Sequence, residues 1–335
     1  MEKFENFGGS GIEKIRSVKG VSHEREEEML ASFVERFETQ GKDIVEREKT
    51  PEEQEILEGI VKEMPDFIRE YGGEPIVLRP EYMHIIDPVR FFEKITKEQQ
   101  DIFKKNGTAG FCIDGDFVGI LSQETKLREA NFMVHEFLHL QSFMSFTHDK
   151  NLKKGILIDE SKVSHRQSGV GIFDKQGREY FNRLNEAIIE ELTMRFDRQY
   201  FQKFKPLEKE LKDRADTEQR VDEPKYENAE EIREAITTTR QEQDGLFRTV
   251  IRSHEYSYPE ERKILRSIIS EIYDANKEKY ESKEDVFKLF AKAQLSGRLL
   301  DLARIIEKSL GKGAFRKLGE ETALTKEEFS AEKLD

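Results

Sequence analysis

Residues 125–146 constrain this chain more than any other stretch. Their apolar side chains (Leu127, Phe132, Met133, Val134, Phe137, Leu138, Leu140, Phe143, Met144) fall all round a helical wheel rather than along one stripe. That pattern predicts a helix buried on most sides. Embedded in it are His135, Glu136 and His139. Histidines four apart project from one helix face with Cβ atoms about 5–6 Å apart, so both imidazoles can reach one Zn2+ at about 2.0–2.1 Å. Glu136 would sit beside such an ion without ligating it, placed to take a proton from the attacking water. Polar groups on a buried helix need partners. The bland alternative is a pair of hydrogen-bonded core histidines.

The flanking sequence reads as a mostly helical α+β chain. Residues 1–21, with Gly8, Gly9 and Gly11, look like a flexible lead, and residues 22–72 like an N-terminal helical segment. Within the latter, Met29, Phe33 and Phe37 predict a helix over 22–40. Thr50-Pro51-Glu52-Glu53 starts another, which Pro65 should kink or break and Gly72-Gly73 should end. Residues 73–205 form the expected catalytic core. Its opening part, to residue 121, reads as a small, largely antiparallel sheet: strands at 75–78 and 82–86, then a hairpin of Ala109–Ile113 and Phe117–Leu121 around Asp114-Gly115-Asp116. After the histidine helix, Ser164–Phe173 and Arg178–Phe181 read as extended, and a long helix runs from Arg183 to about Phe204. A polar linker is expected over 206–224. Helices at 228–248, 258–280, 283–296 and 299–310 complete a C-terminal helical domain, 206–335, that closes a cleft.

A catalytic zinc site has three protein ligands and an open position. A metzincin site would need Gly and His where Ser142 and Ser145 stand. The better source is Asn185-Glu186-Ala187-Ile188-Ile189-Glu190 on the next long helix. Glu186 and Glu190 share a face there, and like charges at that spacing repel. Neither has a Lys or Arg four residues later, since those positions hold Glu190 and Met194. One carboxylate on a metal and the other on a ligand histidine would resolve the repulsion. Glu191 reads as a solvated surface carboxylate.

Here the chain resembles the gluzincin superfamily of zinc metallopeptidases, whose pattern is HExxH on one helix and Asn-Glu-x-x-x-(Asp/Glu) on a later one. His135, Glu136 and His139, then Asn185, Glu186 and Glu190, stand in register with it. The resemblance implies one Zn2+ held by His135, His139 and Glu186, with Glu190 and Asn185 supporting the ligands and Glu136 as general base. It also implies an edge strand before the histidine helix, along which a substrate backbone lies, a place that Phe117–Leu121 would occupy. It covers residues 109–200. Glu186 lies 47 positions after His139, a longer gap than in thermolysin-like members. Asp159 sits nearer their spacing but in an extended or loop setting. The tetrahedral intermediate needs a further donor. Tyr180, His254 and Tyr258 are the candidates, and His165 lies on the inserted hairpin. His23, His84 and His148 read as structural.

A net charge of −13, with no Lys/Arg stripe, excludes a general nucleic-acid binder. Cys112 is the only cysteine, which excludes a disulfide framework and fits a reducing, cytoplasmic setting. Neither an apolar leader nor a membrane span is apparent. No Walker motif, Rossmann fingerprint or serine nucleophile elbow occurs. The expected partner is a peptide or protein substrate; no oligomeric state follows. Two other classes stay open: a non-catalytic zincin-fold module that binds metal or peptide, and a helical scaffold that binds no stoichiometric zinc.

Overall fold

A computed structural model of the chain describes residues 16–19, 21–24, 26–29, 46–97, 100, 110–113, 117–123, 125–148, 163–174, 178–221, 237–243, 246–253 and 256–322. In order, the elements are β1 (Arg16–Lys19), α1 (Pro51–Glu70), β2 (Met83–Ile86), α2 (Pro88–Lys94), β3 (Gly110–Ile113), β4 (Phe117–Leu121), α3 (Lys126–Gln141), β5 (Met144–His148), β6 (Val163–Ser168), β7 (Gly171–Phe173), β8 (Glu179–Tyr180), α4 (Asn182–Tyr200), α5 (Glu208–Val221), β9 (Thr237–Gln243), β10 (Leu246–Ser253), α6 (Pro259–Asp274), α7 (Lys283–Ser296), α8 (Leu299–Leu310) and α9 (Ala314–Glu321). The chain is α+β and mostly helical. One contiguous apolar core runs from Val18 to Leu318. Among the described residues, no helix is long and apolar enough to cross a membrane.

The α1 helix starts as its sequence dictates. Thr50 Oγ1 accepts from the Glu53 amide, and the Glu53 carboxylate accepts from the Thr50 amide, a reciprocal cap. Pro65 does not break it. Ile60 and Met64 before the proline, and Phe67 and Ile68 after it, are all fully buried. That packing outweighs the roughly 3 kcal/mol of an interior proline. Gly72, at φ 77°, ends the helix, its amide bonding Arg69 O while Gly73 bonds Ile68 O.

Residues 75–78 are not a strand. The Gln141 side chain bonds both the amide and the carbonyl of Ile76, at 2.9 and 3.1 Å, and so replaces a strand partner. The sheet that follows is mixed, not largely antiparallel. Its order is β2-β4-β3, with β2 parallel and β3 antiparallel to β4. The β3–β4 hairpin stands as the sequence indicates, around residues outside those described.

Helix α3 ends at Gln141, five residues early. Ser142 turns its hydroxyl back to Leu138 O, and Arg16 donates to the carbonyls of Ser142 and Leu140. Those orphan carbonyls are thereby satisfied, and the chain leaves as β5. The second sheet has the order β1-β5-β6-β7-β8. Among the described residues Arg16–Lys19 are therefore the outer strand, parallel to β5. Gly169, at φ 55°, folds the 164–173 stretch into a hairpin, and β7 and β8 form the next one.

Two further expectations fail. The supposed linker after Pro206 is largely helix α5, tied in by Glu210, which accepts from the Lys126 and Leu127 amides at the start of α3. The supposed helix at 228–248 is, over its described part, the antiparallel pair β9–β10. Threonines and Val250-Ile251 suit extended backbone, and the two strands satisfy each other.

Candidate metal centre

Helices α3 and α4 pack antiparallel, because advancing along α3 from His135 to His139 moves the contact back along α4 from Glu190 to Glu186. This crossing brings three ligand atoms to one point. His135 Nε2 and His139 Nε2 are 3.1 Å apart. Glu186 Oε2 lies 3.4 Å from the first and 3.3 Å from the second. Three ligands in tetrahedral arrangement at about 2.0–2.1 Å from one Zn2+ stand about 3.3–3.4 Å from each other. The triangle thus has the dimensions of a zinc site, and its two imidazole nitrogens and one carboxylate oxygen are a donor set that zinc accepts.

A second carboxylate orients the first histidine. His135 Nδ1 donates to Glu190 Oε2 at 2.6 Å, leaving Nε2 to face the triangle. Glu190 Oε1 accepts from the Ser257 amide at 2.7 Å. Asn185 Nδ2 approaches Glu186 Oε1 at 3.4 Å, while its buried Oδ1 has no hydrogen-bond partner among the described residues. Burial works against a charged His135, yet hydrogen bonds to Glu186 and Glu190 hold its pKa well above the ordinary value. Burial likewise opposes ionisation of Glu186, but the two imidazoles hold its carboxyl far below the usual range.

Glu136 is buried beside the triangle. Burial pushes its pKa up; the charges of His135 and His139 pull against this, and those of Glu186 and Glu190 add to it. The strand next to it is β3. A Cβ on Gly110 would lie 2.5 Å from Glu136 Oε1, so only glycine lets the backbone come this close. Phe117–Leu121 is not the edge strand: it pairs on both sides, and among the described residues β2 and β3 are the outer strands.

The remaining candidates separate clearly. Tyr258 lies beside the triangle: its ring stacks on His135 at 6.1 Å, 18° from parallel, from a left-handed residue (φ 54°) that precedes α6. Tyr180 instead packs against the core beneath the Arg178 guanidinium. His254 and Asp159 lie outside the described residues, as do the side chains of His165 and His148. His23 is exposed beside Glu27, and His84 Nδ1 bonds Glu46, both away from the triangle. Glu191 is not a surface group. It is buried and takes Arg195, Arg262 and Arg266 onto one carboxylate. Arg195, four residues on, was a visible signal of this; the two arginines of α6 were not. Ser257 and Gly110 act through backbone, which no side-chain motif reveals.

No family model matches the chain, and neither a curated protein nor a solved structure matches it.

Proposed function

We propose that this chain is a zinc-dependent peptidase with a zincin-like core. The observation that carries the reading is the convergence of His135 Nε2, His139 Nε2 and Glu186 Oε2 at tetrahedral spacing with Glu136 alongside. These three residues would hold the ion, and Glu190 and Asn185 would fix the orientation of His135 and Glu186. When bound, zinc supplies an acidified water and polarises the scissile carbonyl. Glu136 takes the proton of the attacking water on its carboxylate and passes it to the leaving amine. Tyr258, against His135 and partly exposed, is the hydroxyl we assign to the developing oxyanion. A reducing, cytoplasmic setting fits the single Cys112.

The burial of Glu136 and His135 favours a second reading, a metal-binding or peptide-binding module with an occluded cleft. One experiment separates the two. Purified protein is assayed for bound zinc and for cleavage of a mixed peptide library, with a chelator and then with added Zn2+. The peptidase reading expects about one zinc per chain and cleavage that the chelator stops and zinc restores. Glu136→Gln should keep zinc and lose at least about 100-fold in turnover. Zinc without cleavage supports the metal-binding module, and no zinc defeats the peptidase and leaves only the peptide-binding form of the module.

A further inference from the structure

We propose that Tyr256, anchored by Asp197, is a positioning residue for the metal centre, acting through Ser257 and Glu190 on His135. The inference rests on the zinc-binding reading above.

Asp197 lies on α4 seven residues beyond Glu190, two turns on along the same face and about 10 Å away. It is buried and accepts two bonds from Arg214 of α5, at 2.7 and 2.9 Å. It also accepts the Tyr256 hydroxyl at 2.6 Å. Tyr256 is itself buried. The next residue, Ser257, places its amide on Glu190 Oε1, and the one after, Tyr258, stacks on His135. Three consecutive residues therefore form a strap along α4, pinned at one end by Asp197. The other end runs into α6, whose Arg262 and Arg266 hold Glu191.

The strap has no regular secondary structure, so its path depends on these anchors. Glu190 needs the Ser257 amide to keep its other oxygen on His135 Nδ1, and that bond directs Nε2 at the ion. A hydroxyl one residue from Ser257 thereby sets the orientation of a ligand it never touches. Partners of metal ligands typically affect metal affinity by about 10–100-fold. An influence relayed through one of them belongs at the lower end.

The test is zinc affinity of the full-length protein by chelator competition. Tyr256→Phe should weaken zinc about 10-fold. Asn276→Ala, which truncates a buried polar group elsewhere, should leave zinc affinity unchanged at a similar loss of melting temperature. In a Glu190→Ala background, Tyr256→Phe should have no further effect, since the relay is already cut. Parent affinity in Tyr256→Phe, or additive losses in the double variant, overturns the proposal. Hydrogen exchange on the parent protein gives a check that needs no variant. By linkage, zinc should slow exchange of the Ser257 amide about 10-fold, and unchanged exchange also overturns the proposal. His139→Ala tests the underlying reading separately. If that variant keeps parent zinc affinity, the metal centre itself is wrong, whatever Tyr256 does.

Discussion

Glu190 holds His135 by Nδ1 at 2.6 Å, the shorter of its two polar contacts at the site. The bond spans two helices 55 residues apart in sequence. It fixes which nitrogen of His135 faces the other ligands. Glu190→Ala should therefore weaken zinc about 10–100-fold while the protein stays folded. Chelator competition on the purified variant measures this. Parent affinity would mean that Glu190 only fills space.

Gly110 makes a sharper demand on Glu136, the proposed general base. Gly110→Ala puts a methyl group 2.5 Å from the present position of Glu136 Oε1, and the buried carboxylate must turn away. Peptide hydrolysis should drop about 10–100-fold with zinc affinity nearly unchanged, as a misplaced proton acceptor requires. Activity and zinc content, measured on one preparation, decide it. Equal loss of both would place Gly110 in the metal site rather than beside the base.

Glu129, two turns before Glu136 on α3, has a pKa raised from 4.5 to about 7, chiefly by burial and next by the charge of Glu53, while Arg47 pulls against both. Between those two values the folded chain keeps a proton that the unfolded chain has released. Stability then falls as pH rises through that window. Glu129→Gln is neutral at every pH, so its melting temperature should be flatter from pH 4.5 to 7. Above pH 7 the variant's stability should exceed the parent's by on the order of 2 kcal/mol. Thermal melts across pH, recorded for both proteins, test the sign. A parallel pair of curves would show that Glu129 is already ionised in the folded chain.

Glu191 joins α4 to α6 through Arg262 and Arg266, and also binds Arg195 of its own helix. Glu191→Ala removes a buried partner of cationic groups and should destabilise by about 3 kcal/mol. Urea unfolding should show a lower midpoint with an unchanged slope. A shift under about 0.5 kcal/mol would return Glu191 to the surface role that its sequence context indicates.

The site was legible in the sequence because its parts are local. His135 and His139 share a face through a four-residue spacing, and so do Glu186 and Glu190; both pairs sit in long helical patterns. Failures arose where two structures fit one local pattern and a distant partner chose. Phe143 and Met144 continue the apolar rhythm of α3, but β1 and β6 draw 144–148 into a sheet. Leu246–Ser253 mixes apolar and charged residues in a way a helix would also accept, and only pairing with β9 settles it as strand. Residues 208–221 are polar enough for a linker, yet Glu210 and Arg214 bind the helix into the molecule.

By itself the amino-acid order determined the helix faces, the candidate ligand types and the capping of α1, because each depends on neighbours within a turn or two. Tertiary structure alone decided that α3 and α4 cross at the one height where three ligand atoms meet. It also decided that Gly110 of β3 lies against Glu136, and that a backbone amide at Ser257 bonds Glu190. Those outcomes rest on contacts between residues tens of positions apart, whose closure is governed by the packing of the whole core and leaves no periodic trace in the chain.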